Sequence, residues 1–130
     1  MFAVRRVPIR RRLKTLALGA TILACQAVSA LGHAGPTTST PAANSTIKVL
    51  PRSISVTFSD PLVRVERVIL TPPSGKNSVR SFVVNPKDKR QLVIRTKRSE
   101  AGQYNLYWKV TGADGHSVTG RLRFRTTRAS

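Results

Sequence analysis

The chain has 130 residues and carries 23 Lys and Arg against 5 Asp and Glu, which gives a formal net charge of +18. This length excludes more than one modest domain, and the basic excess first suggests a negatively charged partner. Part of the charge is confined to the first fourteen positions, directly before an apolar run. The basic residues there are Arg5, Arg6, Arg10, Arg11, Arg12 and Lys14.

The apolar run covers positions 16–24 and is too short for a membrane-spanning helix, which needs about 20 residues. A basic segment, a short apolar run and then small residues, in that order, are typical of a secretory signal. We therefore predict that residues 1–32 are a signal peptide that is removed, and that residues 33–130 form the exported domain. Two alternatives stay open, which are cleavage after Ala30 and attachment of a lipid at Cys25.

The remaining chain shows the period of β-strands. Residues 35–46 are rich in Pro, Thr, Ser and Ala and have no strand or helix periodicity, so they predict an extended segment. Alternating or β-branched apolar patterns then predict strands at 46–50, 54–58, 63–70, 78–84, 92–94, 104–110 and 118–124. About seven short strands predict an all-β fold, a small immunoglobulin-like Greek-key barrel or sandwich, with Trp108 in its core.

Most enzyme motifs are missing from this sequence. It has no glycine-rich phosphate loop and no nucleophile elbow, and its few carboxylates are poorly suited to paired acid and base catalysis. Its one cysteine, Cys25, precedes the predicted cleavage site, so the exported domain has no disulfide. We therefore expect no enzymatic activity.

Two histidines and one aspartate are the candidate metal ligands. Asp114-Gly115-His116 lies between the two strongest strand patterns, and such a turn is either an ordinary solvated hairpin connection or a way to aim a carboxylate and an imidazole together. Cleavage after Gly32 would make His33 the first residue, with an α-amine beside its imidazole. Three nitrogens and one oxygen form a tetragonal donor set that suits Cu(II).

Several segments together resemble the CopC/PcoC family of periplasmic copper-binding proteins, over essentially the whole exported chain. The most specific is a Gly-x-Tyr-x-x-x-Trp strand that continues to Asp-x-His, Gly and Phe. The matching segments are His33-Ala34, Ser39 to Ala42, Phe58 to Pro61, Pro73 to Gly75, Gly102 to Val110, Asp114 to His116, Gly120 and Phe124.

The resemblance implies a seven-stranded Greek-key barrel that binds one Cu(II) per chain. Its ligands would be His33, Asp114 and His116, joined in some members by an acid at the position of Asp60. The family's usual role is copper resistance or delivery, often beside an inner-membrane copper importer similar to CopD. We therefore expect a copper carrier or buffer that has no nucleic-acid partner and no stable membrane insertion.

The sequence departs from the family pattern at several positions. The methionine-rich Cu(I) loop has no counterpart, so only the Cu(II) site carries over. Asp60 lies at a position where Glu is more common in the family. Thr111-Gly112 replaces the more usual Val-Ser, and Ser117 replaces a frequent Pro.

Three other interpretations compete with this one. Cleavage before Leu31 would leave Leu31-Gly32-His33 as a tail that encloses Cu(II) without Asp114 or His116. The arginines at 121, 123 and 125 share one face of a strand and are either a solvated face or a surface for an anionic partner or polymer. A copper-dependent oxidase of polysaccharides also uses an N-terminal His, but this chain is short for such an enzyme.

Overall fold

The computed structural model describes residues 34–130, so the predicted signal peptide and His33 lie outside the described residues. This part of the chain folds into eight β-strands. They are β1 (Pro36–Thr40), β2 (Thr46–Ile47), β3 (Ser53–Phe58), β4 (Leu62–Thr71), β5 (Val79–Val84), β6 (Gln91–Thr96), β7 (Gly102–Gly112) and β8 (Ser117–Thr126). Among these residues there is no helix long and apolar enough to cross a membrane.

The strands form two four-stranded sheets, with the orders β1-β3-β6-β5 and β2-β8-β7-β4. All neighbouring strands are antiparallel except β2 and β8, which are parallel. This confirms the predicted all-β fold. Of the two architectures that the sequence predicts, the structure has the sandwich rather than a closed barrel, because each sheet keeps two edge strands.

The core lies between the two sheets and is built from alternate residues of the long strands, as the period of two predicts. Trp108 of β7 is only 2% exposed, which confirms the prediction that it is a core residue. Its ring meets the ring of Phe58 edge-on, with the centroids 5.9 Å apart, and Tyr104 stacks on Phe124 at 5.4 Å. The fully enclosed aliphatic residues are Ile54, Val56, Leu70, Leu92, Ile94, Leu106 and Val110.

The first two strands differ from the prediction. Residues 36–40 form β1 and pair with β3, although their sequence shows no alternation. An edge strand that exposes most of its side chains needs only its backbone hydrogen bonds, so it carries no apolar pattern to detect. Of the predicted strand at 46–50, only Thr46–Ile47 pairs, with β8. The sandwich therefore has eight strands rather than about seven.

The sandwich has two distinct ends. At the first, which we call the hairpin end, the turn between β7 and β8 lies beside the beginning of β4 and the end of β3. Here the amide of Leu62 donates to the carbonyl of Lys89 across the two sheets at 2.8 Å. At the opposite end, β3 begins at Ser53 next to the last residues of β6.

Candidate metal centre

The turn that carries Asp114 and His116 closes the long hairpin of β7 and β8. Thr111 and Ser117 are its last paired residues. Within the turn, the amide of Gly115 donates to the carbonyl of Gly112 at 3.0 Å. Gly115 has a φ of 83°, in the left-handed region that glycine adopts without steric cost. The glycine between the two candidate ligands is therefore required by the backbone of the turn.

The turn brings Asp114 and His116 together, as the spacing of the two residues predicts. The Asp114 Oδ1 atom accepts a hydrogen bond from the His116 amide at 3.0 Å, which fixes the carboxylate. The other oxygen, Oδ2, lies 3.1 Å from Nδ1 of the His116 ring. The His116 side chain is 66% exposed and that of Asp114 is 29% exposed. Both side chains are therefore at least partly accessible to solvent.

The carboxylate and the imidazole of this turn interact with each other. The 3.1 Å between Asp114 Oδ2 and His116 Nδ1 is the distance of a hydrogen bond or an ion pair, so the turn holds the two groups side by side. An imidazole nitrogen and a carboxylate oxygen are also donors that Cu(II) accepts in tetragonal sites.

The first described residues lie against this turn. Ala34 is buried, and a Cβ atom added to Gly112 would lie 3.0 Å from Ala34 Cβ and 3.2 Å from Asp114 Oδ1. Gly35 exchanges two hydrogen bonds with Ser59, one through its carbonyl at 2.8 Å and one through its amide at 3.2 Å. The residue that directly follows His33 is thus held within a few ångströms of the Asp114 carboxylate.

Asp60 belongs to the neighbouring turn. Its Oδ2 atom accepts a hydrogen bond from the Ser59 hydroxyl at 2.9 Å, and the carbonyl of Pro61 accepts one from the Ala113 amide at 2.9 Å. The two turns are therefore adjacent. Even so, within residues 34–130 no three or more His, Cys, Asp and Glu side chains are arranged to hold a metal ion. The structure brings Asp114 and His116 together but does not add Asp60 to them.

A carboxylate that the sequence analysis did not single out supports the base of the hairpin. Glu66 Oε1 accepts hydrogen bonds from the hydroxyls of Thr111 and Ser117 and lies 3.4 Å from Nε of Arg64. Thr111 and Ser117 are two of the positions at which the chain departs from the family pattern. Both of these side chains donate a hydrogen bond to the same carboxylate oxygen. Only the register of β4 on β7 places Glu66 there, and no sequence signal indicates it.

The pKa of Glu66 is held below its usual value, chiefly by the hydrogen bond from Thr111, while burial opposes the shift and Ser117 and Arg64 add to it. The ionised form therefore stabilises the fold above the unfolded-state pKa, and this contribution is lost as the pH falls through the lower folded-state pKa. We expect Glu66→Gln to cost about 1–2 kcal/mol at pH 7 and less at pH 3. Urea unfolding at both pH values measures this difference. An equal loss of stability at pH 7 and at pH 3 would contradict a stabilising role for the ionised carboxylate of Glu66.

Comparison with known proteins identifies the family. The model of the CopC domain matches residues 36–127. Protein YobA of Escherichia coli K12 and its counterpart in Shigella flexneri are each 30% identical to this chain over 100 residues, which is 74% of this chain and 80% of the relative. The chain therefore belongs to the CopC family.

Two solved structures share the fold. CopC from Methylosinus trichosporium OB3b is 21% identical with a TM-score of 0.64, over 73% of this chain and 94% of that protein. PcoC from Escherichia coli, a methionine-rich copper resistance protein, is 23% identical with a TM-score of 0.62, over 73% of this chain and 99% of its own. These two structures show that the chain has the β-sandwich fold of CopC and PcoC.

Proposed function

We propose that this protein is a periplasmic Cu(II)-binding protein that carries or buffers copper in copper homeostasis or resistance. The observation that carries the proposal is the pair of donor atoms at the exposed tip of the β7–β8 hairpin, Asp114 Oδ2 and His116 Nδ1, at 3.1 Å. Membership of the CopC family supports copper as the ion. The proposed ligands are His33, Asp114 and His116. Asp60 is a fourth candidate only by its resemblance to the family pattern, because its carboxylate lies in the adjacent turn and is not grouped with the other two.

The position of Ala34 supports His33 as the ligand that completes the set. Ala34 lies against the Asp114 turn, and consecutive Cα atoms are only about 3.8 Å apart, so the connectivity of the chain supports His33 as a ligand of the same site. If cleavage follows Gly32, His33 contributes both an amine and an imidazole. One copper ion per chain would then have three nitrogen donors and one oxygen donor.

The absence of sulfur ligands favours Cu(II) over Cu(I). The sequence has one methionine, Met1, and one cysteine, Cys25, and both precede the proposed mature domain. Thiolate and thioether ligands select Cu(I), whereas imidazole and carboxylate suit the divalent ion. In this respect the chain differs from the methionine-rich PcoC.

The exposure of the hairpin tip supports transfer of copper to another protein. Two thirds of the His116 side chain is open to solvent, so an acceptor can approach the ion without opening the sandwich. An inner-membrane copper importer similar to CopD is the partner we propose. Neither a catalytic base nor a substrate cleft is needed for this role, and we propose no enzymatic step.

Native mass spectrometry of the protein exported by its own signal, with and without one equivalent of Cu(II), tests the proposal. A chain that begins at His33 and holds one copper ion would support it. A chain that begins at Leu31 would favour the tail chelate instead, and one that begins at a lipidated Cys25 would remove the free amine from both arrangements. A chain that binds no copper would overturn the proposed function.

A further inference from the structure

The negative charges of the described chain are unevenly distributed. Of the five acidic side chains, Asp60, Glu66, Asp88 and Asp114 lie toward the hairpin end, in its turns or beside their base. Glu100 lies toward the opposite end, and its carboxylate binds the amide and the hydroxyl of Ser74 at 3.0 and 2.7 Å. The end of the sandwich opposite the candidate metal centre is therefore poor in acidic side chains.

A depression at that opposite end is lined by basic side chains, and we call it the arginine pocket. Thr96 and Leu50 also line it, together with Ser130. Its basic residues are Arg52, Arg80, Arg95, Lys97 and Arg98.

The strand register explains why these side chains converge. Arg95 of β6 pairs with Ser53 of β3 on one side and with Ser81 of β5 on the other, so small neighbours leave room around its guanidinium group. The register of β5 on β6 shifts between Val79 and Ser81, which makes Arg80 the extra residue of a β-bulge. Bulges of this kind redirect a side chain away from the regular alternation of the strand.

Lys97 is also fixed beside the pocket. Its ammonium group donates a hydrogen bond to the carbonyl of Asn77 at 3.0 Å, and its amide donates to the carbonyl of Ser78 at 2.8 Å. The basic residues of the pocket belong to three segments of the chain, which are Arg52 before β3, Arg80 in β5, and the residues 95–98 at the end of β6 and after it. Only the folded sheet brings these segments together. This distinguishes the pocket from a run of basic residues along one strand.

No carboxylate in the described chain forms an ion pair with any basic residue of the pocket. The ion pairs of residues 34–130 are Arg64 with Glu66, Arg90 with Asp88, and His116 with Asp114. An anion bound in the pocket would interact favourably with each of these positive charges. Guanidinium groups bind phosphate through paired N–H donors, and the oxygens of one phosphate group accept from several arginines at once.

We propose that the arginine pocket binds a phosphate group, either that of a phospholipid headgroup or free inorganic phosphate. The site is separate from the candidate metal centre, because β3 runs six residues between the two ends, a span of about 17–20 Å. The inference depends on the fold and not on copper binding.

The test compares two variants that lose the same charge. The pocket variant carries Arg52→Gln, Arg80→Gln and Arg95→Gln. The control variant carries Lys109→Gln, Arg123→Gln and Arg125→Gln, which remove three exposed cations from the outer face of the other sheet. Because all six side chains are exposed, we expect both variants to fold, and thermal unfolding checks this.

Inorganic phosphate is titrated into each purified protein at constant ionic strength while the backbone amides are followed by NMR. In parallel, sedimentation measures binding to phosphatidylcholine vesicles with and without phosphatidylglycerol. We expect saturable binding that the pocket variant weakens by at least about tenfold, with a much smaller effect in the control variant.

The phosphate titration and the vesicle assay distinguish free phosphate from a lipid headgroup. Saturable shifts of the amides at 52, 80 and 95–98 with inorganic phosphate would identify the free ion as a ligand. Binding only to vesicles that contain phosphatidylglycerol, lost in the pocket variant, would identify the lipid. Equal losses in both variants would show that net charge alone is responsible and would overturn the proposal, as would the absence of binding in both arms.

Discussion

Replacing His116 with Ala is expected to weaken Cu(II) binding by at least about 100-fold, since even partners that only orient a metal ligand contribute about 10–100-fold. The change removes one imidazole nitrogen and leaves Asp114 without the ring that lies 3.1 Å from its Oδ2 atom. Competition with a Cu(II) chelator of known affinity measures the loss. Electron paramagnetic resonance of the bound copper reports the accompanying loss of a nitrogen donor.

This substitution separates the two copper arrangements that the N-terminal sequence allows. In the tail chelate, Leu31-Gly32-His33 encloses the ion, and His116→Ala leaves the affinity unchanged. Thr119→Ala, at an exposed position of β8, is the matched control and should have no effect in either case. Because two thirds of the His116 side chain is exposed, the variant should fold normally. Unchanged affinity in His116→Ala would therefore overturn the hairpin site and not merely report unfolding.

Gly120→Ala is expected to destabilise the fold by about 2–3 kcal/mol or more. Gly120 pairs with Trp108 across β8 and β7, and a Cβ atom there would lie 2.3 Å from Cζ2 and 2.5 Å from Cε2 of the indole. The indole is 2% exposed and its ring meets the ring of Phe58 at a centroid distance of 5.9 Å, so moving it away from the added Cβ atom would disturb these core contacts. Urea unfolding monitored by tryptophan fluorescence measures the change in the free energy of unfolding.

Gly75→Ala is the matched control for this prediction. Gly75 has a φ of 81° and no atom within 4 Å of an added Cβ, so its substitution carries only the backbone cost, about 1 kcal/mol. Gly120 has no positive φ, so its cost is one of packing. If Gly120→Ala were no more destabilising than Gly75→Ala, the close approach of β8 to the indole would not be a structural constraint.

The sequence predicts much of the sheet structure because half-buried strands carry a readable period. β3, β6, β7 and β8 alternate apolar and polar residues, and this period predicts each of them near its observed position. Edge positions lack this signal. β1 exposes most of its side chains, and β2 contributes only two paired residues, so their pairing follows from backbone hydrogen bonds that composition does not reveal.

The candidate site likewise has a part that the sequence predicts and a part that only the fold brings about. Asp114 and His116 are predictable because they are close in sequence and share one turn, whose geometry is local. The nearness of Ala34 and of the Asp60 turn depends on contacts between distant segments, through Gly35 with Ser59 and Pro61 with Ala113. His33 and the signal peptide remain predictions, since they lie outside the described residues.

The sequence by itself determined the β class, the core position of Trp108 and the Asp-Gly-His turn, because each depends on the period of a strand or on residues a few positions apart. Only the tertiary structure decided that Glu66 binds the two hydroxyls at the base of the hairpin. It also decided that Arg52, Arg80 and Arg95 share one pocket. These groups are far apart in the chain, and the register between paired strands, which sequence patterns specify only weakly, brings them together.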